Sequence, residues 1–306
     1  MRKNGSSFAI LTVLFVCLGV FGCSADPASK RTPTLVIVSP GQEATNGSDT
    51  IKIASFNIQV FGTSKLKKPE VMSVLSKVIR KFDVVAIQEV RSTDDTVIPT
   101  FVNLINAEGA KYDFVIGPRL GRTNSKEQYA FIFNTARINV DRASVYTVPD
   151  PSDLLHREPL VARFQVRGEP VAKMFSFSLV NIHTDPDETK TELNALADVF
   201  TSVQNNGSGE DDVILLGDLN VDEFHFGRLG QLPDIAHAIT GVKTNTRRTK
   251  MYDNIVFNSK ATTEFTGKAG VFDLMKEFDL SEAQALAISD HLPIWAEFSI
   301  LESGSR

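Results

Sequence analysis

Short apolar runs of strand length alternate with a few amphipathic helical stretches along most of this chain. Residues 51–58, 83–88, 112–116, 130–133, 160–166, 171–181, 254–257 and 294–300 are rich in β-branched and aromatic side chains and read as strands. Residues 69–82 carry Val71, Val74, Leu75, Val78, Ile79 and Phe82 at helical spacing, with Pro69 near the start, where a missing N–H is tolerated. Residues 96–108 and 189–203 repeat the pattern, through Val97, Phe101, Leu104 and Ile105 in the first and Leu193, Leu196, Phe200 and Val203 in the second. Strands mixed with fewer helices predict an α+β fold of two packed β-sheets with helices outside.

One stretch organises the rest. Val213-Ile214-Leu215-Leu216 is an uninterrupted apolar run, as expected of a strand buried on both faces, and it ends in Gly217-Asp218-Leu219-Asn220. In extended chain Asp218 and Asn220 point the same way, so the strand delivers a carboxylate and a carboxamide together. Other strands end in polar residues too. Residues 51–58 end around Asn57, 83–88 run into Glu89, 171–181 lead to His183, Asp253 opens 254–257, and Asp290-His291 precedes the last strand. Taken singly, each reads as well as a turn or a solvated strand end. Their repetition at strand ends points to one polar site.

Composition narrows the class. The 306 residues are 42% hydrophobic and 23% charged, an ordinary globular balance. A net charge of -5 argues against an obligate nonspecific polyanion binder, while leaving room for a local basic groove. Arg119, Arg122 and Lys126 in one loop, and Arg247, Arg248 and Lys250 in another, are candidates for backbone phosphate contacts. The 2 cysteines, Cys17 and Cys23, both fall near the N-terminus, so the rest of the chain has neither a disulfide nor a cysteine nucleophile.

Arg2 and Lys3 precede an apolar stretch over 8–21, too short for a comfortable membrane span, and Val20-Phe21-Gly22-Cys23 resembles a bacterial lipobox. Residues 1–23 are therefore read as a lipoprotein-type signal with acylation at Cys23, residues 24–50 as a flexible tether, and 51–301 as the catalytic domain. Within the tether, residues 34–38 have the composition of a short strand but are not counted as one. An ordinary secretory signal with an incidental cysteine is the other reading. Both predict export, either to a lipid anchor at the cell envelope or to the medium.

The ordered set Asn57, Gln88-Glu89, His183, Gly217-Asp218-Leu219-Asn220, Asp253 and Ser289-Asp290-His291 resembles the endonuclease/exonuclease/phosphatase superfamily. Residues 120–129, Arg157-Glu158-Pro159-Leu160-Val161 and Met251-Tyr252-Asp253-Asn254-Ile255-Val256 look like its deoxyribonuclease I branch. The resemblance implies a four-layer α/β/β/α sandwich of two mixed sheets. It also implies a divalent-metal-dependent endonuclease that cuts double-stranded DNA to 5′-phosphate products. His183 with Glu127 and His291 with Asp253 would be the acid/base pairs, and Asp218 and Asn220 would orient water and phosphate. Glu89, Asn57 and Asp290 would hold the metal, and Arg91, Arg122 and Arg157 would contact the nucleic acid. Mg²⁺ is the expected cation, with Mn²⁺ as a substitute and a structural Ca²⁺ as a further expectation. The expected partners are double-stranded DNA and, through Cys23, a membrane; the expected state is a monomer.

Alternatives with the same fold are phosphodiesterases or phosphatases acting on sphingomyelin or inositol phosphates; a catalytically inert binding module is a third. The chain departs from the branch where Ser125 and His225 replace groove-facing tyrosines and Lys250 stands in place of a disulfide cysteine.

Overall fold

The computed structural model describes residues 34–35 and 48–303. The expected signal segment, 1–23, lies outside the described residues, as does the expected tether, 24–50, apart from 34–35 and 48–50. Numbered in chain order, the strands begin with β1 (Thr34–Leu35), β2 (Thr50–Phe61), β3 (Val84–Val90), β4 (Tyr112–Ile116) and β5 (Gln128–Asn134). They continue with β6 (Ile138–Thr147), β7 (Leu160–Val166), β8 (Ser176–His183) and β9 (Val213–Asp218). The last are β10 (Ile235–His237), β11 (Asp253–Asn258), β12 (Phe265–Val271) and β13 (Ile294–Ser299). The helices are α1 (Thr63–Leu66), α2 (Pro69–Ile79), α3 (Val97–Asn106), α4 (Thr189–Gln204), α5 (Leu274–Phe278) and α6 (Glu282–Ile288).

Sheet one runs β1-β12-β13-β2-β3-β5-β4 and sheet two β10-β11-β9-β8-β7-β6. Both are mixed: β2–β3 and β8–β9 are parallel pairs within otherwise antiparallel neighbours, and β1 joins β12 in parallel. The tether thus contributes a two-residue strand. Between the sheets lies a core that includes Phe131, Phe164, Phe175, Phe177 and Phe298, ring against ring at centroid distances such as 4.8 Å for Phe175–Phe177. A second core packs α2, α3 and α6 on the outer face of sheet one, through Leu75, Val78, Phe101, Ile105 and Ile288. A third packs α4 on sheet two through Leu193, Leu196 and Phe200. Helices cover both outer faces, so the central strands are apolar on both sides. This is the four-layer sandwich expected.

One expected strand changes, and β6, β10 and β12 are strands beyond those expected. Residues 171–181 are not one strand: Val171–Lys173 is a 3₁₀ turn, and the strand starts at Ser176 and runs on to His183. The strand β6 was not expected, because Asn139, Asp141 and Arg142 break its apolar pattern. It is an edge strand, where polar side chains face water.

Candidate active site

Strand register decides which side chains meet. In sheet two His183 lies level with Asp218, and Asp218 level with Asp253. One row across three strands holds an imidazole and two carboxylates. In sheet one Asn57 is level with Gln88, next to Glu89. Glu127 immediately precedes β5, and His291 lies in the turn between α6 and β13. Gly217 makes the close strand approach possible: a Cβ there would fall 1.8 Å from the Ile182 carbonyl oxygen, at a φ of 156°.

The two sheets join at Asp218. Its Oδ2 accepts from Asn57 Nδ2 at 3.1 Å, and its Oδ1 accepts from the Asn220 N–H at 3.1 Å. Nε2 of His183 and Nε2 of His291 approach the same Oδ2 at 3.5 and 3.4 Å. Each ring is held from behind. His183 Nδ1 lies 2.9 Å from Glu127 Oε1, and His291 Nδ1 lies 2.9 Å from Asp253 Oδ2. A carboxylate on Nδ1 fixes the proton there and leaves Nε2 for chemistry. Asp253 Oδ2 is steadied in turn by the Thr244 hydroxyl at 2.7 Å.

Burial and charge oppose each other here. Burial disfavours the charged forms of both imidazoles, but Glu127 and Asp218 outweigh it at His183, whose pKa is raised. At His291 the charges of Asp253 and Asp218 outweigh burial further, and the pKa is raised well above its ordinary value. Burial also works against charge on Glu127, yet His183, Arg157 and Arg91 hold its carboxyl below the usual range. Asp218 is raised by burial, against the attraction of the two histidines.

A hard divalent cation takes oxygen ligands, and Asp290 Oδ1 is buried without a hydrogen-bond partner. The ligand atoms of Asp218, Asp253 and His291 also lie within 4.8 Å of one another, but there the ring nitrogens of His291 are already engaged by the two carboxylates. Glu89 adds a carboxylate whose Oε1 accepts from Asn57 Nδ2 at 3.2 Å and whose Oε2 accepts from the Val60 N–H at 2.8 Å. Asn57 turns its amide nitrogen, not its oxygen, toward these carboxylates, because Oδ1 accepts from the Gln59 N–H. The backbone is strained around the site: Gln59, Val60, Glu89 and Asn220 all have φ between 40° and 62°. Each costs about 1–3 kcal/mol and persists only because neighbours over-determine it.

Other expected residues take different places. Arg91 joins the site, its Nε 3.2 Å from Glu89 Oε2 and 3.4 Å from Glu127 Oε2. Arg157 lies beneath it at 3% exposure, donating from Nε and Nη2 to the His183 carbonyl. Arg122 stands on the rim in ion pairs with Asp153 and Glu188. The Asn220 amide donates to the Thr184 carbonyl at 2.8 Å and ties the β8 and β9 loops together.

Sequence reading missed several supports. Tyr129 exchanges hydrogen bonds with the backbone of His183, accepting from its N–H at 2.9 Å and donating to its carbonyl at 3.2 Å. Buried Lys65 donates to the carbonyls of Ile58, Gln59 and Ile288 at 2.6–2.7 Å. Burial lowers its pKa to about 8 against the pull of Glu89 and Asp290. Nothing local in the sequence marks either residue.

A family model described as "Endonuclease/Exonuclease/phosphatase family" matches residues 54–291. The chain belongs to the endonuclease/exonuclease/phosphatase family. Within it, the chain is 34% identical to deoxyribonuclease-1-like 1 of Sus scrofa, covering 83% of this chain and 82% of that one. It is 30% identical to deoxyribonuclease gamma of Rattus norvegicus, with 85% and 87% covered. Among solved structures, a family member from Bacteroides thetaiotaomicron superposes with a TM-score of 0.58 at 16% identity, over 81% of this chain and 94% of that one. The human Nocturnin catalytic domain gives 0.55 at 17% identity, over 83% and 95%. These two likenesses show the fold.

Proposed function

We propose that the protein is a divalent-metal-dependent endonuclease that hydrolyses phosphodiester bonds of double-stranded DNA. The observation that carries this reading is the convergence of two carboxylate-backed imidazoles on one oxygen of Asp218. The names of the relatives, all deoxyribonucleases, support the substrate. A bound Mg²⁺, held by Glu89 and Asp290, would stabilise the charge that builds on the phosphate.

The chain's own residues supply the proton transfers. His183 Nε2 takes a proton from the attacking water, the new P–O bond forms, and the bond to the 3′ oxygen breaks. His291 Nε2–H gives its proton to that leaving oxygen, and a 5′-phosphate remains. Against burial, Glu127 and Asp218 raise the pKa of His183, and Asp253 and Asp218 raise that of His291 further; we assign the base to the less strongly raised ring, His183, and the acid to His291. Asp218, fixed by Asn57 and Asn220, holds the two rings apart across the phosphate. Export and a lipid anchor on Cys23 belong to the same reading and rest on the sequence alone.

The test is incubation of the protein with supercoiled plasmid in Mg²⁺, with and without chelator. Nicking that chelator abolishes is the expected result. A folded sample that leaves plasmid intact but cleaves sphingomyelin or an inositol phosphate would replace the reading with the lipid or inositol one.

A further inference from the structure

Beyond the histidines, the loop that follows Asn220 carries a feature the reaction does not use. Phe224 is 79% exposed, the most exposed large hydrophobic side chain among the described residues. Apolar side chains are found alone at protein surfaces; this one sits on a turn held by side-chain hydrogen bonds. Phe224 lies in the 3₁₀ turn Glu223–His225, where Asp222 Oδ1 accepts from its N–H at 3.0 Å and also binds His225 Nδ1. Glu223 Oε1 accepts from the Gly241 N–H at 2.7 Å and pins the turn to a second loop. The ring is presented to water by a rigid support.

A groove of about 530 Å³ runs beside it, lined by Thr189, Lys190, Val221, Phe224, His225 and Gln231. Its walls come from the first turn of α4 and from residues 221–231, the segments that follow the strands ending in His183 and Asp218. The Asn220 amide ties the loops after those strands together at the Thr184 carbonyl. Lys190, exposed in the first turn of α4, makes no ion pair within 4.0 Å among the described residues. An unburied ring and an unpaired ammonium lining one groove offer a face for a base and a cation for a phosphate. Aromatic platforms of this kind bind bases through their faces, without regard to sequence.

We propose that Phe224 and Lys190 form a subsite for a nucleotide flanking the cleaved bond. The ring stacks on the base and the ammonium pairs with its phosphate. The inference rests on the nuclease reading above. A base still stacked in a duplex hides its face, so the subsite favours substrates whose flanking base is unpaired. It therefore selects for distortion next to the cut, not for a base identity.

Three substrates of one sequence test this: fully paired, with one unpaired base beside the cut position, and with an abasic residue at that position. The wild-type protein should cleave the unpaired-base substrate about tenfold more efficiently than the abasic one, the scale of one stacked base. Phe224→Ala should make the two equal, Phe224→Trp should keep the preference, and Lys190→Ala should reduce the salt dependence of KM by about one counterion. Since the ring is exposed, loss of fold is not expected, and circular dichroism checks it. The subsite is refuted if the wild type treats the two substrates alike or if Phe224→Ala keeps the preference. A folded wild type inert on all three substrates overturns the nuclease reading and the subsite with it. Phe224-dependent cleavage of sphingomyelin vesicles in that case would assign the ring to a lipid surface.

Discussion

The His183–Glu127 and His291–Asp253 pairs are built from the same parts and share Asp218, but their outer neighbours differ in charge. Around Glu127 stand two guanidiniums, Arg91 and Arg157, each 3.4 Å from its carboxylate. Arg157 also holds the His183 carbonyl. Around Asp253 the close partner besides His291 is the neutral Thr244 hydroxyl, and Asp290 adds a further negative charge beside the ring. The same ring–carboxylate distance of 2.9 Å therefore gives two different groups. Against burial, both rings have their pKa raised by their carboxylates, His291 more than His183, with Arg157 opposing at His183 and Asp290 adding at His291. A base and an acid can be made from one residue type by choosing the neighbours.

The largest expected effect comes from removing either ring. His183→Ala and His291→Ala should each lower kcat on plasmid DNA by about 10²–10⁴-fold, with folding preserved by circular dichroism. Full activity in either variant would end the acid/base assignment.

Changing the neighbours should move pH profiles in opposite senses. Glu127→Gln removes the anion that stabilises charged His183, so the acid limb of kcat/KM should shift to lower pH, with a loss of about 10–100-fold at the optimum. Arg157→Met removes the cation instead, and the acid limb should shift to higher pH. Asp253→Asn lowers the pKa of His291, so the alkaline limb should fall to lower pH while the acid limb stays. Shifts of the two limbs in one direction for all three variants would show that the pairs do not have separate roles.

The smallest effect concerns carboxylates that no imidazole accompanies. At the other end of the same strands Asp212 precedes β9, and burial with the charges of Glu264, Glu210 and Glu302 pushes its carboxyl up to about 9. A folded pKa raised from 3.8 means that its contribution to stability is fully present below pH 3.8 and is lost as pH rises toward about 9. Asp212→Asn should remove that loss and raise stability at pH 8 by on the order of 1–2 kcal/mol in urea unfolding. No gain at pH 8 relative to pH 5 would contradict it.

Much of this was legible in the chain. The apolar run before Gly217 gave a central strand, and polar residues at successive strand ends gave Asn57, Glu89, His183, Asp218 and Asp253, which register then places together. What stayed hidden depends on contacts distant in sequence. Lys65 reaches the Ile288 carbonyl across the fold, and Tyr129 reaches His183 from the neighbouring sheet. Arg157 was expected to face substrate and is instead 3% exposed, because a buried His183 carbonyl lies within its reach. The helix α6 had a readable start that was passed over: Ser281 and Gln284 form a capping box.

The division of labour between the two pairs is tested most directly by a leaving group that needs no proton. A thymidine 5′-phosphodiester with p-nitrophenolate as leaving group removes the demand for a general acid and keeps the demand for a base. The account predicts that His291→Ala cleaves it within about threefold of the wild-type rate, while His183→Ala keeps its full loss. Rescue of His183→Ala instead, or equal loss in both, would contradict it.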